Sequence, residues 1–402
     1  MNAPLTGMRI LDFTHLLPGE LCSAVLSDLG AEVIRVESPT NRLSHTLPPV
    51  IKGESLYYWS LRRDQKRILV DLKSKEGREL VEKLVPEFDV VLENFRPGVM
   101  DRFSLGYKHL SAINKKLIYC SISGYGQTSP KRETPVHDLN LIAETGLLQL
   151  NCRDGERPVL PSIPISDYMA GIFGALSVVG ALLSRERGSD GSHLDISMED
   201  SAISTLNILG SMILYTKLEP SRGGFAYPRE LPNYNVYECS DGRHLAVASL
   251  ERHFWEEFCR RIGKPELTPK LDQPELEQEL IDDIATIIKA KKLSEWEKVF
   301  EGSNCCVSIV KSAKEAFDKY PLAERGMLAT MQHPLLGNIP QIIFPVDRSL
   351  RRQTPASGDG DDLKHMMKVL NDAGYSDESI NKLIEQKVLS MQRAAVITPT
   401  RV

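Results

Sequence analysis

His137 and Asp138 stand side by side after the turn Gly124-Tyr125-Gly126-Gln127, and Asp167 heads an apolar run that carries Gly171 and Gly174. An imidazole and a carboxylate held by separate elements form a natural acid/base couple near neutral pH. A further carboxylate, Glu251, follows the apolar stretch Leu245 to Leu250, where it can orient an imidazole. Each of these residues also has an ordinary use, since Asp138, Asp167 and Glu251 all sit where a helix cap is wanted. A carboxylate at the start of a helix is expected to stay ionised, because unpaired backbone N–H groups and the macrodipole point at it. The glycines beyond Asp167 let another backbone or a bulky ligand approach closely.

The surrounding elements must position these groups. Met8 to Phe13 reads as a strand, Leu21 to Leu29 as a helix that Gly30 can end, and Val33 to Val36 as a second strand. Strand Arg67 to Asp71, helix Gly77 to Leu84 and strands Val90 to Glu93 and Leu117 to Ile122 continue the alternation. The pattern predicts an α/β fold: a Rossmann-like, doubly wound large domain with a parallel sheet. Ligands in such sheets bind beyond the carboxyl ends of the strands, where Arg35, Ser38, Asp71, Leu72, Lys73 and the Gly124 to Gln127 loop fall. A helix from Asp167 to about Leu183, a strand Leu194 to Ile196 and a helix Asp200 to Tyr215 follow. The expected division is a large domain over residues 1–200, a linker over 201–232, a smaller α+β domain over 233–326 and a C-terminal segment over 327–402.

Composition excludes several classes. A net charge of −5 gives no overall pull toward nucleic acid or an anionic membrane. Seven cysteines without paired metal spacing suit free thiols in a reducing cytoplasm and no metal site. The apolar run Met169 to Leu183 is expected to be too short for a bilayer and to be a buried helix. No dinucleotide fingerprint, phosphate-binding lysine loop, nucleophile elbow, zinc-peptidase motif or paired-cysteine redox motif occurs.

An ordered set of fragments carries a resemblance over nearly the whole chain. It comprises Leu17-Pro18-Gly19, Leu26 to Glu37, Asp71-Leu72-Lys73, Glu93-Asn94-Phe95-Arg96-Pro97-Gly98, Ser123 to Gln127, and Asp167. By these the chain resembles the class III CoA-transferases of the CaiB/BaiF type, and within them the α-methylacyl-CoA racemase branch most. The resemblance implies an interlocked homodimer, a large domain completed by the C-terminal segment, and an acyl-CoA substrate whose CoA is no separate cofactor. It implies a place in lipid metabolism and an enzyme inverting C2 of a 2-methylacyl-CoA through an enolate. His137 and Asp167 would move the proton on opposite faces, Glu251 would orient His137, Asp138 would partner Asp167, and donors at the Asp167 helix start would hold the enolate oxygen. The alternative it implies is transfer of CoA between carboxylic acids with Asp167 as nucleophile. On this resemblance CoA lies near Arg35, Ser38, Val70, Asp71, Leu72, Lys73 and Arg96, with Val136, Leu139, Asn140 and Leu141 at the thioester. Val136, where racemases commonly carry glycine, is expected to narrow the acyl pocket.

Overall fold

Strands that are apolar at consecutive positions must be covered on both faces, and here adjacent residues enter opposite cores. Ile10, Val33 and Val90 join one buried cluster, whereas their neighbours Leu11, Ile34 and Val91 join another. The computed structural model describes residues 3–40, 43–152, 156–218, 231–352 and 362–390. It divides into two compact units, one of Met1–Leu148, Leu160–Asn207 and Leu322–Val402, the other of Gln149–Val159 and Ile208–Pro321.

The first unit is an α/β sandwich. Its parallel strands are β1 (Arg9–Asp12), β2 (Glu32–Glu37), β3 (Gln65–Val70), β4 (Val90–Glu93), β5 (Ile118–Ser123) and β6 (Ser192–Ser197). They lie in the order β3-β2-β1-β4-β5-β6. The chain builds outward from β1 through β2 to β3, then restarts on the other side at β4, so the topological switch lies between β1 and β4. The sheet is mixed, which corrects the purely parallel expectation: the short strand Leu389–Ser390 adds antiparallel to the edge strand β3. Helices Asp362–Asp372 and Asp377–Glu385 accompany it, and Met366, Leu370 and Ile380 enter the core beside Ile68 and Val70.

Helix α1 (Leu17–Asp28) connects β1 to β2, α2 (Lys75–Leu84) follows β3, and α3 (Asp138–Glu144) follows β5. Helix α4 (Ile165–Glu186) has 22 residues, and 39% of its most apolar window is buried. It is thus long and apolar enough by composition to cross a membrane and is only partly covered, so the expectation of a short, buried helix is corrected. Its covered face meets α1 through Gly171, where a Cβ would stand 2.8 Å from the Pro18 carbonyl oxygen. The helix expected over Asp200 to Tyr215 is broken into α5 (Met198–Ser204) and a second segment, Asn207–Thr216. An antiparallel hairpin, Leu328–His333 with Gly337–Ile342, was not anticipated from the sequence; its Met331 and Ile339 bury against Tyr58 and Trp59.

The second unit has an antiparallel sheet of β7 (Tyr234–Glu238), β8 (His244–Ala248) and β9 (Val307–Ile309), with β8 in the centre. Helices α6 (Arg252–Arg261), α7 (Glu277–Lys289) and α8 (Leu293–Phe300) pack on it around Trp255, Phe258, Ile284 and Trp296. Residues 219–230 of the expected linker lie outside the described residues.

The close approach at Gly171 yields a test. Gly171→Val places methyl groups against Pro18 and Leu21, and is expected to cost about 1–3 kcal/mol, as overpacking does. Urea denaturation measures it, and an unchanged midpoint would contradict the packing.

Candidate active site

Beyond the carboxyl ends of β1, β4 and β5 the first unit has a cavity of about 330 Å³. His15, Asn94, Ser123, Val136, His137 and Asp167 lie on its wall. This is the crevice of a doubly wound sheet, where no strand connection blocks the space above the switch. His137 and Asp167, paired in the sequence reading, therefore do reach one cavity.

Asp138 sets their relation. Its Oδ1 accepts from Ser166 N at 2.7 Å and Ser166 Oγ at 2.6 Å, with Asp167 N at 3.4 Å. A carboxylate at the start of α3 thus caps the unrelated helix α4. His137 precedes α3, and its backbone N–H donates to Asn140 Oδ1 at 3.1 Å. Behind it Val136 fits against Gly124, where a Cβ would stand 2.2 Å from Val136 Cγ1. Any side chain at 124 would press on the His137 segment, so Val136 is accommodated by the glycine opposite.

The cap overturns two expectations. The Ser166 and Asp167 amides, expected to hold an enolate oxygen, are engaged by Asp138. Asp167 is not held in its ionised form: burial pushes its carboxyl up to about 7, and the Asp138 charge adds to the rise. Desolvation and the neighbouring carboxylate outweigh the helix terminus. An acid poised there is half ionised at neutral pH and can act as base, acid or nucleophile.

The opposite wall consists of residues that were not singled out for the site. Asn94 clasps His15, accepting its backbone N–H at 2.8 Å and donating back to its carbonyl. Phe95 meets the His15 ring edge-on at 5.2 Å. Burial lowers the His15 pKa, with Arg35 contributing, so the ring favours its neutral form. Ser123 Oγ is buried on the cavity wall and has no hydrogen-bond partner among the described residues. The signal for these residues is their position just past β1, β4 and β5, which becomes meaningful once the strand order is known.

The expected CoA contacts divide. Arg96 and Val136 line the cavity. Ser38, Asp71, Leu72 and Lys73 lie beyond β2 and β3, where Lys73 N–H donates to Asp71 Oδ1 at 3.0 Å. Arg35 is only 2% exposed, with its guanidinium committed to Asp12, Glu37 and the Thr14 carbonyl. Val70 and Leu141 are buried core residues, whereas Leu139 is exposed and the Asn140 side chain caps His137. The side chains of Arg35, Val70 and Leu141 thus face the core, which leaves only their backbone for the expected CoA contact. Glu251 belongs to the second unit, where it precedes α6 without a side-chain cap.

The fold and this crevice define an α/β protein with a carboxylate at its switch point, and the comparisons agree. Residues 5–359 match CoA-transferase family III, and the chain belongs to that family. It is therefore an enzyme of the CaiB/BaiF superfamily acting on acyl-CoA thioesters. Among its relatives, the succinyl-CoA:glutarate CoA-transferase of Mus musculus is 29% identical over 95% of this chain and 89% of its own. The alpha-methylacyl-CoA racemase of Homo sapiens is 30% identical over 97% and 98%. A solved CAIB/BAIF family protein from Brucella suis superposes with a TM-score of 0.78 at 25% identity, over 92% of this chain and 100% of the other.

The Asp167 shift has a measurable sign. Its carboxyl, pushed up to about 7 in the folded chain, lies above the usual carboxylate range, so between that range and 7 the folded chain holds a proton the unfolded chain has lost. That contribution to stability is present at low pH and disappears as pH rises through 7. Asp167→Asn is therefore expected to melt higher than wild type at pH 8 and to converge with it below pH 4, read by thermal denaturation across pH. A variant less stable at pH 8 would contradict the assignment.

Proposed function

We propose that this protein is a CoA-transferase that moves CoA between two carboxylic acids through Asp167. The observation that carries the reading is the Asp167 carboxyl itself: on the cavity wall, desolvated, and backed by a second carboxylate rather than by a cation. A poorly solvated carboxylate without a counter-charge is an effective nucleophile once ionised. It attacks the thioester carbonyl, the carbon–sulfur bond breaks, and CoA leaves as thiolate, leaving a mixed anhydride on Asp167. The thiolate attacks the Asp167 carbonyl and releases the donor acid as its carboxylate. The acceptor carboxylate repeats these steps in reverse, which forms the new acyl-CoA and restores Asp167. The free Ser123 hydroxyl is a donor available to the thioester oxygen or the pantetheine amides.

A second reading, inversion at C2 of a 2-methylacyl-CoA, is favoured by one observation: His137 and Asp167 line the same cavity. Racemisation places an acid and a base on opposite faces of one carbon and needs donors for the enolate oxygen. The helix-start amides that would serve are held by Asp138, which counts against it. In either case the supporting Asp138 and the Arg96 cation keep their roles, and Lys73 and Ser38 lie in loops suited to the CoA nucleotide.

Incubation with a single enantiomer of 2-methylacyl-CoA and a free dicarboxylate in deuterium oxide separates the two. CoA on the added acid, with CoA mass trapped on the Asp167 peptide, is the expected result. Deuterium at C2 with racemisation and no trapped species would replace transfer by the second reading. Asp167→Ala is expected to lower transfer on the order of 10⁴-fold or more, as loss of a covalent nucleophile does. His137→Ala is expected to leave transfer within about tenfold, the scale of a lost binding contact.

We also infer a homodimer. Tyr168, Ile172, Leu176 and Leu183 form an exposed apolar stripe along α4 at helical spacing, the composition a subunit interface requires. Leu176→Glu is expected to convert a dimer to monomers in sedimentation velocity. A wild-type monomer at micromolar concentration would remove the inference.

A further inference from the structure

A second cavity, of about 230 Å³, lies on the other side of the turn that follows β4. Arg96 lines both cavities, and Glu93, Asp101, Tyr107 and His193 line only the second. Glu93 is the last residue of β4 and is 4% exposed. Its carboxylate accepts the Phe95 N–H at 2.8 Å and a hydrogen bond from Ser121 on β5. Ser121 Oγ in turn lies 2.9 Å from His193 Nε2 on β6, and the His193 ring stacks on Tyr107 at 5.0 Å. A polar rung therefore crosses three strands and ends on the backbone of a residue that faces the Asp167 cavity. Beyond Phe95 the connection continues, because Asn94 clasps the His15 backbone and Phe95 abuts the His15 ring.

We propose that Glu93 is a positioning residue for the acyl-CoA reaction, whose carboxylate, acting through Phe95 and the Asn94–His15 clasp, holds the wall of the Asp167 cavity in its substrate-binding form. The proposal rests on the reading that acyl-CoA occupies that cavity. Nothing in the proton-transfer or transfer chemistry needs a second buried carboxylate, and a neutral residue would satisfy the same two donors at lower desolvation cost. The charged form makes stronger hydrogen bonds to both donors than a neutral acid does.

The surroundings make that charge conditional. Burial pushes the Glu93 carboxyl up to about 7; Ser121 and the Phe95 N–H oppose the rise, and Asp101 and Asp195 add to it. On β5, Tyr119 lines the same cavity and Cys120 lies on the opposite face of the strand; burial raises both, and the Glu93 charge adds to the rise. From β6, burial lowers the pKa of His193, which thereby favours the neutral ring, and Arg96 and Lys108 are cations on the same cavity. Glu93 thus gains its charge as pH rises through about 7, and the grip on Phe95 tightens with it.

Glu93→Gln keeps the shape and one acceptor oxygen while removing the charge. In acyl-CoA turnover from pH 5.5 to 8.5, the variant is expected to raise KM roughly fivefold at pH 8, the effect of one weakened charged hydrogen bond. At pH 5.5, where both proteins are neutral at this position, KM is expected to coincide, and kcat is expected to stay within about twofold throughout. The same variant is expected to melt above wild type at pH 8, since it no longer buries a charge, which separates a positioning role from damage to the fold. A KM equal to wild type at pH 8, or raised equally at every pH, would overturn the assignment. The rate followed is whichever the wild type shows, CoA transfer or deuterium exchange at C2. An exchange-only wild type with the expected KM pattern therefore sinks the transfer reading and leaves Glu93 standing, while wild type with neither activity sinks both.

Discussion

One carboxylate organises the chemistry. Asp138 begins α3, yet it caps α4, so the segment carrying His137 and the helix carrying Asp167 are joined at a single atom, Oδ1. That atom has three effects. It ties the His137 segment to the Asp167 helix, it occupies the Ser166 and Asp167 amides, and its charge adds to the burial that disfavours ionisation of Asp167. A helix terminus commonly stabilises a nearby anion. Here it stabilises Asp138, and Asp167 is left with the cost of burial. Placement and reactivity are thus produced by one interaction.

A second concentration of buried charge supports the other side of the cavity. Arg35 reaches Asp12, Glu20 and Glu37, and Arg62 joins through Glu20 at 2.5 Å. Burying so many charges yields little net stability even when all are paired. Its effect is geometric: Arg35 Nη2 donates to the Thr14 carbonyl at 2.6 Å, immediately before His15 leaves β1. With the Asn94 clasp from β4, the exit of the first strand is held from both sides of the switch point.

Much of the first unit was legible because its signals are local. Val90 to Glu93 was delimited to the residue, and β1, β2 and α2 to within a few, since apolar runs and turn residues mark them; in the second unit the same held for Leu293 to Phe300. The pairing of His137 with Asp167 was also foreseen, as both were recognised as groups able to exchange protons. What escaped notice depends on pairing across the chain. The hairpin Leu328–His333 with Gly337–Ile342 contains Pro340 and polar residues, and it becomes a structure only against Tyr58 and Trp59. Arg35 was expected near CoA, and one sequence cannot reveal the three carboxylates that converge on it. The ionised state expected of Asp167 fails for the same reason: the helix dipole is visible locally, but the burial that raises its pKa and the Asp138 charge that adds to it arise from the fold.

The strand Leu389–Ser390 places a late segment on the edge of an early sheet, pairing with Val70 and Leu69. Ile380, Met366 and Leu370 from the same region complete the core under β3. During synthesis, residues 362–390 must therefore leave the ribosome before the β3 edge of the sheet is paired. In that interval β3 offers unpaired amides and an uncovered apolar face, the features that recruit chaperones or invite aggregation. Yield of soluble protein in cells is thus coupled to residues 362–390, which do not line the Asp167 cavity.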